Sequence, residues 1–129
     1  MSEQPPQPLR GFRVLVVEDS FVLADSLRWA LEDQGATVVG PTPTADRALD
    51  VLRRETVDVA ILDVYLAGAS SIPVALALRG DGIPFLFLTG YEDPGNLPED
   101  LQGVPILHKP IDPYDVGAKL REMLQEQSS

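Results

Sequence analysis

Five short apolar runs, separated by stretches of helical periodicity, narrow what this 129-residue chain can fold into. The runs fall at 12–17, 36–39, 58–62, 84–88 and 104–107. Such runs, with little polar alternation, predict strands covered on both faces. Between them, helix ends are marked by residue type. Ser20 can cap a first helix that carries Leu23, Leu27, Ala30 and Leu31 on one side and stops at Gly35. Thr44 can cap a second, with Ala45, Ala48, Leu49 and Leu52 inward. Ser70 or Ser71 opens a third, ending near Gly80. The last begins Asp112-Pro113, a capping carboxylate followed by a proline whose missing N–H costs nothing there. Its inner stripe is Val116, Leu120, Met123 and Leu124.

Strands that alternate with helices predict an α/β fold, a doubly wound five-stranded parallel sheet with helices on both faces. The segment between Thr89 and Val104 is the exception. It holds Pro94, Gly95 and Pro98, and an interior proline costs a helix about 3 kcal/mol. A short or mobile helix is expected there. Residues 1–10 are expected as a flexible tail, 11–126 as one domain and 127–129 as a second tail. So little chain follows Leu124 that no output domain is expected.

Composition removes several function classes. At 44% hydrophobic residues the chain can bury a core. It has no cysteine, which excludes disulfides and thiolate metal sites and fits a reducing cytosol. No apolar stretch reaches the roughly 18 residues of a membrane span, and the N-terminus lacks the pattern of a signal peptide. A cytoplasmic protein without membrane contact is the expectation. The net charge of −10, without a Lys/Arg cluster, opposes direct nucleic-acid binding.

In parallel α/β sheets, ligands bind at the carboxyl ends of the strands. Here those ends deliver Glu18 and Asp19 after the first run, Asp63 after the third, Thr89 after the fourth and Lys109 after the fifth. The second ends in Gly40-Pro41 and brings no charge. Each residue alone has an ordinary explanation, since acids before a helix favour its positive end. Together they do not. Like charges 4 Å apart repel by about 4 kcal/mol at an effective dielectric near 20. Mg²⁺ (or Mn²⁺) suits such a hard oxygen cage, and Lys109 adds further compensation. An Asp, a divalent cation, a Lys and a Thr fit phosphoryl transfer to a carboxylate, with Asp63 as nucleophile.

"VLVVEDS", "DVAILDVYL", "FLFLTGY" and "ILHKP" together resemble the receiver domain of two-component response regulators, over about residues 12–126. The resemblance implies the flavodoxin-like strand order 2-1-3-4-5. It also implies a metal bound by Asp19, Asp63 and the Tyr65 main-chain carbonyl, with Glu18 helping mostly through water, and a cis peptide before Pro110. Its partners would be a histidine kinase or a histidine phosphotransfer protein, and a downstream regulatory protein. It would act as a relay, sink or partner-binding switch. Beyond its own phosphotransfer and slow autodephosphorylation, no enzyme activity is expected. "PFLFLTGY" further resembles the alphaproteobacterial receivers with a Phe-Ala-Thr-Gly-Tyr motif, with Leu88 in place of the alanine.

One position departs from the usual pattern. Ile106 stands where most receivers carry a switching aromatic, so the switch is expected to run through Thr89, Tyr91 and the proline-laden segment after them. Tyr65 and Tyr91, each two residues past a site residue, are placed to slow hydrolysis of an aspartyl phosphate. Val22 and Trp29 sit seven apart on the outer side of the first helix, with Phe21 exposed elsewhere on it; in the family this helix docks histidine-bearing helices. His108 reads as a solvated strand-end residue. Three rivals are weaker. A dehalogenase-type phosphatase needs an acid where Tyr65 stands. A flavodoxin needs a phosphate cradle where Glu18 and Asp19 stand. A receiver that binds partners without phosphorylation does not need the intact acid–Lys–Thr set.

Overall fold

In a computed structural model, which describes residues 7–66, 69–90 and 97–128, the apolar runs pair as parallel strands. The elements are β1 (Arg13–Val17), α1 (Phe21–Asp33), β2 (Thr37–Thr42), α2 (Ala45–Arg54), β3 (Val59–Asp63), β4 (Tyr65–Leu66), β5 (Ala69–Ser70), α3 (Ile72–Gly80), β6 (Phe85–Thr89), a 3₁₀ turn (Glu99–Leu101), β7 (Ile106–His108) and α4 (Pro113–Ser128). The main sheet runs β2-β1-β3-β6-β7. That is the expected 2-1-3-4-5 order, counting only main-sheet strands, and every ladder in it is parallel. The fold is flavodoxin-like.

Side-chain alternation in each strand divides the core into two layers. Leu15, Val17, Leu62 and Phe87 face α2 and α3. Val14, Val16, Ile61 and Leu88 face α1 and α4, against Leu27, Leu31, Val116 and Leu120. Each such side chain contributes about 1.5–3 kcal/mol on burial. With both faces covered, the strands need no polar side and read as unbroken apolar runs. The expected caps form. The Ser20 and Thr44 hydroxyls accept from Leu23 N–H and Arg47 N–H, and Asp112 accepts from Tyr114 N–H at 2.9 Å. Gly35 follows α1 with φ +99°, where a Cβ would press on the Arg10 backbone at 3.0 Å.

Three expectations are corrected, and one further element was not expected. Residues 9 and 10 are not tail: Leu9 is fully buried in the α1–α4 layer, and its N–H donates to Gln34 O at 3.0 Å. At the other end α4 continues over residues 127–128, fixed by Gln127 Nε2 donating to Gly82 O at 3.1 Å. The second strand does not end at Gly40-Pro41. It bulges there and continues to Thr42, because Gly40 takes φ +95°. A Cβ at Gly40 would lie 2.8 Å from Thr42 N, so only glycine fits. Finally, β4 and β5 form a small antiparallel hairpin between Asp63 and α3 that no periodicity announced. In the proline-laden segment, residues 91–96 lie outside the described residues, and the 3₁₀ turn Glu99–Leu101 follows them, with Leu101 buried in the core.

Leu9 gives this register a direct check. Leu9→Ala should lower unfolding free energy by about 2–4 kcal/mol, the cost of a buried Leu truncation, in urea titrations. A tail residue would leave the midpoint unchanged.

Candidate functional site

The sheet's carboxyl edge gathers side chains from four strand ends. Glu18 and Asp19 leave β1, Asp63 closes β3, Thr89 closes β6 and Lys109 follows β7. Carboxylate oxygens of Glu18, Asp19 and Asp63 lie within 4.8 Å of one another. Glu18 and Asp63 are buried and Asp19 is exposed. The Lys109 ammonium sits 3.0 Å from Glu18 Oε1 and 3.0 Å from Asp63 Oδ2. Its backbone N–H donates to Thr89 O at 2.7 Å, and the Lys109–Pro110 peptide is cis. Thr89 is fully buried.

Glu18 is held from both ends. Its N–H donates to Thr42 O at 3.1 Å, and its Oε2 accepts from Ser20 N–H at 3.0 Å. The bulge at Gly40-Pro41 is what delivers the Thr42 carbonyl, so β2 brings no charge yet orients an acid. Burial pushes the Glu18 carboxyl up to about 7; the Ser20 N–H and Lys109 pull it back only partly, and the Asp63 charge adds to the rise. For Lys109, burial opposes the charged form, but hydrogen bonds to Glu18 and Asp63 outweigh it and the ammonium is held above its ordinary value.

One ammonium against three carboxylates leaves the cluster short of positive charge. Glu18 Oε1 is buried, and the Lys109 ammonium 3.0 Å away is shared between it and Asp63. The donor set is all oxygen. Both features fit a hard divalent cation, which takes carboxylate oxygens and keeps several waters.

The other sequence-chosen residues divide by position. Tyr65 lies on β4 with an exposed side chain, and its N–H donates to Asp63 Oδ1 at 3.2 Å. Tyr91 lies outside the described residues. Ile106 is half-buried on β7, in register with the fully buried Phe87. Phe87 packs edge-on against Phe85 at 5.6 Å. Phe21, Val22 and Trp29 are 83%, 75% and 66% exposed on α1. His108 is exposed at the end of β7. Tyr114 was missed. It stands in the first turn of α4, donates its hydroxyl to Asp33 Oδ2 at 3.1 Å, and with Trp29 lines a 320 Å³ groove between α1 and α4. No sequence pattern links residues so far apart.

Residues 14–121 match the response regulator receiver domain. The chain belongs to that family. This receiver domain is 33% identical over 120 residues to the uncharacterized transcriptional regulatory protein YbdJ of Bacillus subtilis, covering 91% of this chain and 52% of YbdJ. The solution structure of SdrG from Sphingomonas melonis is similar, with 34% identity, a TM-score of 0.71 and coverage of 91% of this chain and 96% of SdrG. So is the anti-anti-sigma factor PhyR from Bartonella quintana, with 27% identity, a TM-score of 0.74 and coverage of 90% of this chain and 48% of PhyR. The chain spans about half the length of YbdJ and of PhyR. SdrG and PhyR fit the alphaproteobacterial subgroup that the "FLFLTGY" stretch resembles. Receiver domains are typically switches rather than enzymes and work with histidine kinases and downstream partners. Among the described residues, no helix is long and apolar enough to cross a membrane.

The Glu18 shift has a consequence for stability. Its folded value of about 7 lies above the ordinary 4.5, so the folded state holds this proton more tightly than the unfolded one. The contribution is complete below the unfolded value and is lost as pH rises through about 7. In EDTA, Glu18→Gln should match the parent near pH 4.5 and exceed it at pH 8 by about 1–2 kcal/mol, allowing for solvent screening. Urea unfolding across that range measures it; a difference independent of pH contradicts the assignment.

Proposed function

We propose that this receiver accepts a phosphoryl group on Asp63 from a phosphohistidine of a kinase or phosphotransfer protein, and acts as a relay, sink or partner-binding switch in two-component signalling. The observation that carries this reading is the Lys109 ammonium 3.0 Å from the Asp63 carboxylate, inside a cluster of three acids. An Asp63 oxygen attacks phosphorus, the P–N bond to the donor imidazole breaks, and its electron pair stays on the imidazole nitrogen. Lys109 offsets negative charge on the phosphoryl oxygens, and the Thr89 hydroxyl donates to one of them after transfer. Glu18, Asp19 and Asp63, with the Tyr65 carbonyl, would hold Mg²⁺, which supplies the remaining charge neutralisation when bound.

The donor would dock on α1. Phe21, Val22 and Trp29 are exposed apolar side chains on that helix, and Trp is enriched among residues that anchor partners. The same side chains support a second reading, in which the domain binds a regulatory protein without being phosphorylated. The name of PhyR, an anti-anti-sigma factor, favours partner binding as an output under either reading.

Intact mass after incubation with acetyl phosphate and Mg²⁺ tests the first reading. One phosphoryl adduct is expected, absent from Asp63→Asn and suppressed by EDTA. A folded, metal-saturated protein that takes no phosphate from acetyl phosphate or from histidine donors supports the second reading. Trp29→Ala should leave labelling by acetyl phosphate intact and slow transfer from a histidine donor by about tenfold, the scale of a lost anchor. Equal rates would remove α1 from the docking face.

A further inference from the structure

The segment joining Asp63 to α3 is built around one buried hydroxyl. Ser71 has no exposed surface. Its Oγ–H donates to Val64 O at 3.2 Å, and its peptide N–H donates to the same carbonyl at 3.2 Å. Val64 N–H in turn donates to Leu88 O at 2.9 Å. The residue next to Asp63 is therefore pinned at both its N–H and its carbonyl. The Ser71 carbonyl accepts from Val74 and Ala75 N–H at 3.0 and 3.1 Å, which starts α3.

Helix capping does not explain the Ser71 side chain. It makes no capping hydrogen bond, and the first helical N–H, that of Ile72, is taken by Ser70 Oγ at 3.1 Å. The hydroxyl instead closes the base of the β4–β5 hairpin, where Tyr65 pairs with Ser70 and Leu66 with Ala69. Leu66 is buried in the core and anchors the hairpin from beneath. Tyr65 leaves this pinned hairpin with an exposed side chain, its N–H 3.2 Å from Asp63 Oδ1.

We propose that Ser71 is a positioning residue that, through Val64 and the β4–β5 hairpin, fixes Tyr65 beside Asp63 and so sets the lifetime of the aspartyl phosphate. The proposal rests on the reading of Asp63 as phosphoacceptor. In hydrolysis a water oxygen attacks phosphorus and the P–O bond to Asp63 breaks. Its electron pair returns to the carboxylate, and the water's protons leave with inorganic phosphate or pass to solvent. A ring fixed next to Asp63 keeps water from the approach line. A loosened hairpin lets the ring move aside, because ordering it is an entropic cost that the Ser71 bond offsets.

The test is the decay of the phosphorylated protein in Mg²⁺ buffer after acetyl phosphate is removed, followed by intact mass. Ser71→Ala should shorten the half-life about threefold to tenfold. Tyr65→Asn should shorten it at least as much, and the double variant should decay no faster than Tyr65→Asn alone. Thr44→Ala, which removes a capping hydroxyl at the start of α2 and touches neither Val64 nor the hairpin, should leave the half-life unchanged. Ser71→Gly keeps the peptide N–H donating to Val64 O and replaces Ser71→Ala, with the same expectations, if the alanine does not fold. An unchanged half-life in a folded Ser71 variant, or additive shortening in the double variant, overturns the proposal. Absence of any adduct on the parent protein overturns the phosphoacceptor reading itself, and this proposal with it.

Discussion

The Lys109 ammonium stands 3.0 Å from Glu18 and 3.0 Å from Asp63, and the carboxyl edge of the sheet is arranged around that bridge. Three carboxylates within 4.8 Å of one another repel at about 4 kcal/mol per close pair. One cation lowers that repulsion without removing it. The remainder appears in Glu18, whose carboxyl is pushed up to about 7 by burial and by the Asp63 charge. The site thus carries uncompensated charge, which the proposed divalent cation would offset. Stability and that binding would be linked through the same charges.

Backbone hydrogen bonds position the residues that carry these charges. Thr42 O orients Glu18, Thr89 O orients Lys109, and Leu88 O pins Val64 beside Asp63. Each carbonyl lies in the last two residues of a strand, so the sheet ladder fixes the separation of the acids. The two apolar layers give that ladder its rigidity. A site built on packed strands keeps its geometry better than one built on loops. The departures from regular structure, the Gly40-Pro41 bulge and the β4–β5 hairpin, both sit at this edge. Each re-aims one residue of the site.

The face proposed for partner docking has a different logic. Phe21, Val22 and Trp29 stand on the side of α1 that points away from the core, and Tyr114 on α4 closes the groove beside Trp29. The α1 helix begins two residues after Glu18 and Asp19, so a helix docked there would be brought to the same edge as Asp63. On the proposed function, recognition and chemistry would share a boundary because one strand, β1, ends at both.

Much of this was legible in the chain before folding. Unbroken apolar runs announce doubly covered strands, and the residues that close them, Glu18, Asp19, Asp63, Thr89 and Lys109, announce where polar chemistry collects, because strand-to-helix junctions in a parallel sheet share one edge. Those signals are local, carried by neighbours in sequence. What sequence alone missed depends on distant pairs. Leu9 is core because Gln34 and the α1–α4 layer receive it, and Tyr114 meets Asp33 only once α1 and α4 pack. The second strand continues past Pro41 only because Gly40 can adopt a positive φ against Thr42. The Ser71 hydroxyl has a role only once the chain turns back on Val64. Hydrophobic pattern and residue type fixed the layers and the acids; long-range backbone hydrogen bonds, which no periodicity encodes, decided how each acid is aimed.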